Sequence, residues 1–286
     1  RELVGSDSVA LLDFPSHMNV GDSMIWAGEM DSLRRIGRRV RYAADHARYD
    51  PAVLQQRHPL GPILLHGGGN FGDLWPEFQR FRERVLLDFP GRKVIQLPQS
   101  VHFRDRVNAG VTNSALRKHP DFLLLCRDKE SFSLAAELLP DVRTERVPDA
   151  AFGWKVPAQQ QPQPNRGTLV LLRRDHESQP GANELLEWCR SNLDPARTTF
   201  ADWGLHGRDL LKWRLARVPG SLARRNRVLG RLRTTRRAVE AGYEKMLDLN
   251  LRAGIDAFSD RSLIVTDRLH AHVLAAKMHV RHVVMD

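Results

Sequence analysis

Leu263-Ile264-Val265-Thr266-Asp267-Arg268-Leu269-His270-Ala271-His272 is a strand-to-helix junction, and its reading decides the fold. Leu263–Val265 is an apolar, β-branched run of the kind that forms a buried strand. Thr266 and Asp267 are good N-cap residues, and Val273-Leu274-Ala275-Ala276 continues an apolar helix. A strand feeding directly into a helix is half of a βαβ unit, whose sheet is parallel and covered by helices. The junction also places Arg268, His270 and His272 at the start of that helix. A cation and an imidazole beyond the carboxyl end of a strand suit an anionic substrate that needs a proton. His270 and His272 lie about 200° apart around a helix, too far to share a metal ion easily, so no metal is expected. His270 is read as the functional member and His272 as a packing residue.

Upstream, the same alternation recurs. Strands are expected at Val9–Asp13, Pro62–His66, Lys93–Gln96, Phe122–Leu125 and Thr144–Val147, with helices between them. Gln159-Gln160-Gln161-Pro162-Gln163-Pro164 then reads as a linker, because Gln and Pro without apolar residues cannot build a core. The pattern restarts with a strand at Thr168–Leu172. This predicts an α/β protein of two Rossmann-like βα domains, 1–157 and 167–286, joined by 158–166. A cleft between them would take residues from both.

The 286 residues are 42% apolar and 27% charged, ordinary values for a globular domain. No run approaches the ~18 apolar residues that suggest a membrane span. Cys126 and Cys189 are far apart in sequence, which disfavours a disulfide framework or a zinc site and makes a reducing cytoplasm the expected compartment. Arg1 opens the chain with neither Met nor a signal core, and Val283–Asp286 ends it on a strand-like run. Both ends therefore read as trimmed, with the natural protein continuing past Asp286.

Between His206 and Arg237 there are eleven Lys and Arg against Asp209 alone, a difference of ten that equals the whole net charge of +10. Apolar residues recur there at helical spacing, although Pro219-Gly220 is expected to break the helix. A solvated helix face, an anionic membrane surface and a nucleic-acid surface are all compatible with such a segment. Trp213 within it and Tyr243 just beyond it are the only interleaved aromatics of this basic region, which disfavours base stacking.

Polar motifs follow most of the strands. Asn19-Val20-Gly21-Asp22 starts a helix, where Gly21 permits an unusual turn. His66-Gly67-Gly68-Gly69-Asn70 carries three consecutive glycines, which imply either close backbone contacts or amides presented to an anion. An HGGG run also forms the oxyanion loop of some esterases, but the G-x-S-x-G elbow they require is missing here. No P-loop is present, so nucleotide hydrolysis has no support. Pro98-Gln99-Ser100, Arg127-Asp128 and Pro148-Asp149 are further polar loops, with a structural salt bridge expected for Arg127 and Asp128. Leu172-Arg173-Arg174-Asp175 offers arginine at a strand end, the side chain that grips phosphate or carboxylate through two hydrogen bonds.

In order and spacing these motifs resemble the polysaccharide pyruvyl transferase family, from about residue 9 to residue 286. The resemblance implies two facing domains arranged as in B-type glycosyltransferases. It also implies phosphoenolpyruvate as donor, a sugar with two suitably placed hydroxyls as acceptor, and a cyclic pyruvate ketal as product, with no cofactor. Arg173, Arg268, His270 and the backbone of Leu269 would hold the donor, with His270 as acid. Asn19, Gly21, His66, Gly67, Gly68, Gly69 and Asn70 would line the acceptor side, with Asp22 or Asp149 taking the hydroxyl proton. Relatives usually carry a Tyr-Gly-Lys-like segment just past the point where this chain stops. A lipid-linked glycan is one form the acceptor would take, with the basic segment against the inner leaflet of the membrane. Two other readings compete: a B-type glycosyltransferase using a nucleotide sugar, and a basic nucleic-acid-binding protein.

Overall fold

The computed structural model describes residues 4–5, 8–157, 167–173 and 181–285. The expected linker 158–166 and the residues Arg174 and Asp175 lie outside them. The elements run β1 (Ser8–Leu12), α1 (Val20–Arg35), β2 (Arg39–Ala44), α2 (Pro51–Arg57), β3 (Ile63–Leu65), β4 (Gly68–Gly72), α3 (Pro76–Asp88), β5 (Val94–His102), α4 (Arg106–Leu116), β6 (Phe122–Cys126), α5 (Lys129–Leu138) and β7 (Arg143–Arg146). They continue as β8 (Thr168–Leu171), α6 (Ala182–Asn192), β9 (Thr198–Phe200), α7 (Gly207–Arg225), α8 (Arg227–Arg231), α9 (Arg233–Ser259), β10 (Leu263–Thr266), α10 (Leu269–Lys277) and β11 (His282–Val284).

Two compact units divide the chain, and they are not consecutive in sequence. The first comprises Arg1–Ser16, Ile25–Trp154 and Ala216–Tyr243, and the second His17–Met24, Lys155–Leu215 and Glu244–Asp286. The changes of unit after Met24, Leu215 and Tyr243 fall inside α1, α7 and α9. The motif 19–22 thus belongs with the second unit, and most of the basic segment with the first.

The first unit holds a sheet in the order β2-β1-β3-β5-β6-β7, with β4 added to the far end of β5. All its pairings are parallel. Parallel strands covered by helices must be apolar on both faces. Accordingly β1 is buried from Val9 to Leu12 and β6 along its whole length. Val94, Leu124 and Ile63 pack with Val85 and Leu54 of α3 and α2 in one core. The second unit holds a parallel sheet in the order β11-β10-β8-β9, where Val170, Val265 and Cys189 form a smaller core.

Four elements escape a reading of hydrophobic runs. Strand β2 carries Arg39 and Arg41 on its exposed positions and α2 is only seven residues long. Strand β9 has three residues, and β4 is rich in glycine. Residues 97–100, expected as a loop, instead continue β5 past an irregularity, and Gly68, Phe71 and Gly72 pair with that continuation. Pro219 does not end α7, contrary to expectation. Proline forfeits a helix hydrogen bond, but the next residue, Gly220, lies so close to Arg48 that a β-carbon would overlap the guanidinium. Tertiary contact holds the backbone helical.

Gly72 has φ +118°, and a β-carbon on it would overlap the His102 carbonyl oxygen. Gly72→Ala should therefore destabilise the protein by at least ~2 kcal/mol. Gly91 has open space around its α-carbon, so Gly91→Ala should stay within about 0.5 kcal/mol of the parent. Urea midpoints of the two variants give the comparison.

Candidate active site

Both sheets reverse direction of winding at one place. In the first unit β1 lies between β2 and β3, and in the second β8 lies between β9 and β10. Chain connections diverge on either side of such a point, and the strand ends there open a crevice for ligands. Asp13 and His66 follow β1 and β3, while Leu172-Arg173 and Asp267-Arg268 follow β8 and β10.

In the second unit the two strand ends are tied together. The Arg173 amide donates to both oxygens of Asp267, at 2.9 and 3.1 Å. The Thr266 hydroxyl, fully buried, donates to the Leu171 carbonyl at 2.7 Å and accepts from the Arg268 amide at 3.0 Å. Asp267, expected to cap the helix, instead holds the end of β8, and Arg268 is the N-cap residue of α10, with no side-chain capping bond. Helix α10 therefore begins with its dipole uncovered by a side chain. Arg268 is mostly buried and its Nη2 donates to Asp202 at 2.5 Å. Its Nε has no hydrogen-bond partner among the described residues.

The start of α1 completes this cluster. The Asn19 side chain accepts from the Gly21 amide at 2.8 Å, and Ser23 donates from its hydroxyl to the Asn19 carbonyl. Asn250 of α9 donates to the His17 carbonyl and to Ser23, each at 2.9 Å. One turn further along α9, a β-carbon on Gly254 would meet Val20 at 2.5 Å, so glycine there admits the close approach of α1. The His270 ring lies directly on Gly21, where a β-carbon would stand 2.7 Å from its Nδ1 and 2.9 Å from its Cγ. Asp22 is partly buried, 3.5 Å from the imidazole of His17. His272 turns elsewhere, its Nδ1 2.8 Å from Nε2 of His282.

In the first unit, Glu29 of α1 binds the residues after β3. One oxygen lies 2.9 Å from His66 Nδ1 and the other accepts from the Gly67 amide at 2.8 Å, with both side chains buried. Trp26 meets the His66 ring edge-on at 5.5 Å. The His66 carbonyl accepts from Gln96 and Gln99, and the Asn70 amide donates to Gln99 at 3.1 Å. Arg82, almost wholly buried, donates to Gln96, Gln79 and Asn70. Burial lowers its pKa to about 10, against the opposing charges of Asp13 and Glu83. Asp13 itself is buried with φ +68°, a conformation that costs about 1 kcal/mol or more outside glycine.

The glycines after His66 therefore serve close packing more than an anion cradle. A β-carbon on Gly67 would stand 2.5 Å from the Pro98 carbonyl oxygen, and Gly68 has φ +133°. The amides of Gly67 and Asn70 are taken by side chains, while Gly69 is exposed beside Arg127. Asp149 is engaged at both oxygens, by Arg127 at 3.0 Å and by the Ala151 amide at 2.7 Å. Asp128 caps α5 through Ser131 and accepts from Ser100. Arg127 thus pairs chiefly with Asp149.

Asn19, Gly21, Asp22, Arg173, Arg268, Leu269 and His270 fall in the second unit; His66, Gly67, Gly68, Gly69, Asn70 and Asp149 fall in the first. Glu29, Arg82, Asp202 and Asn250 were missed by sequence reading. Glu29 and Asn250 sit within helical runs and Asp202 in a short loop, so no local pattern marks them. No group of His, Cys, Asp and Glu suited to a metal ion occurs among the described residues.

Two parallel sheets, each with polar residues following its strands at a crossover point, define an α/β protein of two units. The polysaccharide pyruvyl transferase family model matches residues 19–286, and the chain belongs to that family. Pyruvyl transferase 1 of Schizosaccharomyces pombe is 29% identical over 304 residues, covering 99% of this chain and 67% of its own length. EpsO of Bacillus subtilis, provisionally named a pyruvyl transferase, is 30% identical over 279 residues, covering 96% of this chain and 80% of its own. A crystal structure of a functionally uncharacterised Klebsiella pneumoniae protein superimposes with a TM-score of 0.54 at 15% identity, covering 98% of this chain and 84% of the other. That likeness concerns the fold alone.

Gly21→Ala should push the His270 ring out of its seat. A displacement of about 1 Å costs on the order of a hundredfold in turnover, so activity should fall that far while the far-ultraviolet spectrum is unchanged. Glu29→Ala leaves a buried amide and a buried imidazole nitrogen without their carboxylate, and should cost ~2–5 kcal/mol in urea unfolding. Parent-like stability in that variant would show that the carboxylate does not hold the turn.

Proposed function

We propose that this chain transfers a pyruvyl group from phosphoenolpyruvate to two hydroxyls of a sugar in a cell-surface or exopolysaccharide precursor. The products are a cyclic pyruvate ketal and inorganic phosphate. The observation that carries this reading is the seat of His270 on Gly21, in the same unit as Arg173 and Arg268. Phosphoenolpyruvate is a small trianion, and fixed cations with helix amides compensate the water it loses. Arg268, with an unengaged Nε, and Arg173 supply the cations, and the amide of Leu269 opens the helix.

Protonated His270 gives its proton to the methylene carbon, and the neighbouring carbon becomes cationic. A positioned imidazolium is a suitable general acid for this transfer. The first sugar hydroxyl adds to the cationic carbon, and Asp22 takes the hydroxyl proton. The bond from that carbon to the phosphate oxygen then breaks, and the second hydroxyl adds in its place, giving its proton to the departing phosphate. One C–H and one C–O bond replace the double bond, and a second C–O bond replaces the phosphate ester. Asp22 is preferred to Asp149 as base because both Asp149 oxygens are already engaged.

Arg268→Ala and Arg173→Ala should each weaken phosphoenolpyruvate binding in calorimetry by at least about tenfold. The Arg173 variant keeps its bond to Asp267, which the backbone makes. His270→Ala should bind the donor but release phosphate about a hundredfold more slowly in the presence of acceptor; a parent rate would remove it from the mechanism. Stabilisation by a nucleoside diphosphate and not by phosphoenolpyruvate would favour a sugar-nucleotide transferase instead. Asp202 competes with the donor for Arg268 and is half exposed, so Asp202→Asn should lower the donor KM, by up to about fivefold.

A further inference from the structure

Helix α7 has two apolar faces, and only one is covered. Trp213 and Gly220 are buried. At about 100° per residue, Leu211, Leu215, Val218 and Leu222 fall within roughly 60° of one another, on the opposite side. They are exposed at 59%, 59%, 46% and 52%. Four large aliphatic side chains in a row facing water are unfavourable, at ~25 cal/mol per Å² of apolar surface left uncovered. Arg214 and Arg225 border the stripe on one side and Arg208 and Lys212 on the other, all exposed. Asp209, the segment's single acid, projects from the far side.

We infer that α7 lies flat on an anionic lipid bilayer, its leucine stripe among the acyl chains and its flanking cations at the headgroups. An apolar stripe with basic borders on a helix is the pattern of an interfacial element. A second copy of this chain would bring the same positive borders together, and a nucleic-acid backbone would leave the leucines uncovered. No described helix is long and apolar enough to cross the membrane. An enzyme held there meets a lipid-carried acceptor directly. The inference is independent of the phosphoenolpyruvate reading, since lipid binding needs no substrate.

Sedimentation with phosphatidylcholine vesicles, with and without phosphatidylglycerol, tests it. The protein should pellet with the phosphatidylglycerol vesicles at low salt and stay in solution with phosphatidylcholine alone. Partitioning should fall about tenfold in Leu211→Ser/Leu215→Ser/Leu222→Ser and in Arg214→Glu/Arg225→Glu. These side chains are exposed, so circular dichroism should be unchanged. Parent protein that ignores the anionic vesicles, or a leucine variant that pellets like the parent, overturns the proposal. So does a parent dimer that the leucine variant splits in light scattering, or duplex DNA binding that displaces the vesicles.

Discussion

The end of a parallel strand at a crossover point leaves backbone amides that no neighbouring strand can satisfy, and in both units a carboxylate closes that gap. Asp267 accepts the Arg173 amide beyond β8, and Glu29 accepts the Gly67 amide beyond β3. A hydrogen bond to an ionised group contributes about 1.5–3 kcal/mol, and its loss leaves a buried donor unpaired. The direction of each loop follows from these bonds. So do the placements of Arg268, one residue past Asp267, and of His66, whose ring binds the same Glu29.

Charge is matched locally around these sites. Arg268 faces Asp202, Arg127 faces Asp149, and Arg82 is surrounded by amide oxygens with Asp13 and Glu83 acting at longer range. Burying a cation costs several kcal/mol unless it is well hydrogen-bonded, which explains the number of side-chain amides about Arg82. The pair at Arg268 differs from that at Arg127. Asp202 is half exposed, whereas Asp149 is buried and also caps a turn.

Much of the second unit's site was legible in sequence because its chemistry is contiguous. Arg268, Leu269 and His270 are adjacent, and the strand before them is an uninterrupted apolar run. The glycine-rich motif was visible but open to two readings. Its spacing marks tight backbone, and only the positions of Pro98, Glu29 and His102 show that close packing accounts for Gly67 and Gly72. Glu29, Asn250 and Asp202 left no local mark, since each acts on a residue at least 37 positions away.

By itself the sequence determined the βα alternation, most strand and helix positions and the local cluster of charge in 206–237, all of which depend on neighbours within a few residues. Tertiary structure alone decided the strand orders that create the crossover points, because parallel strands pair across whole helices. It also decided that residues 17–24 join the second unit, where the bare α-carbon of Gly21 makes room for His270 249 positions later. That contact arises from the packing of α1 against α9 at Gly254, which no run of adjacent residues records.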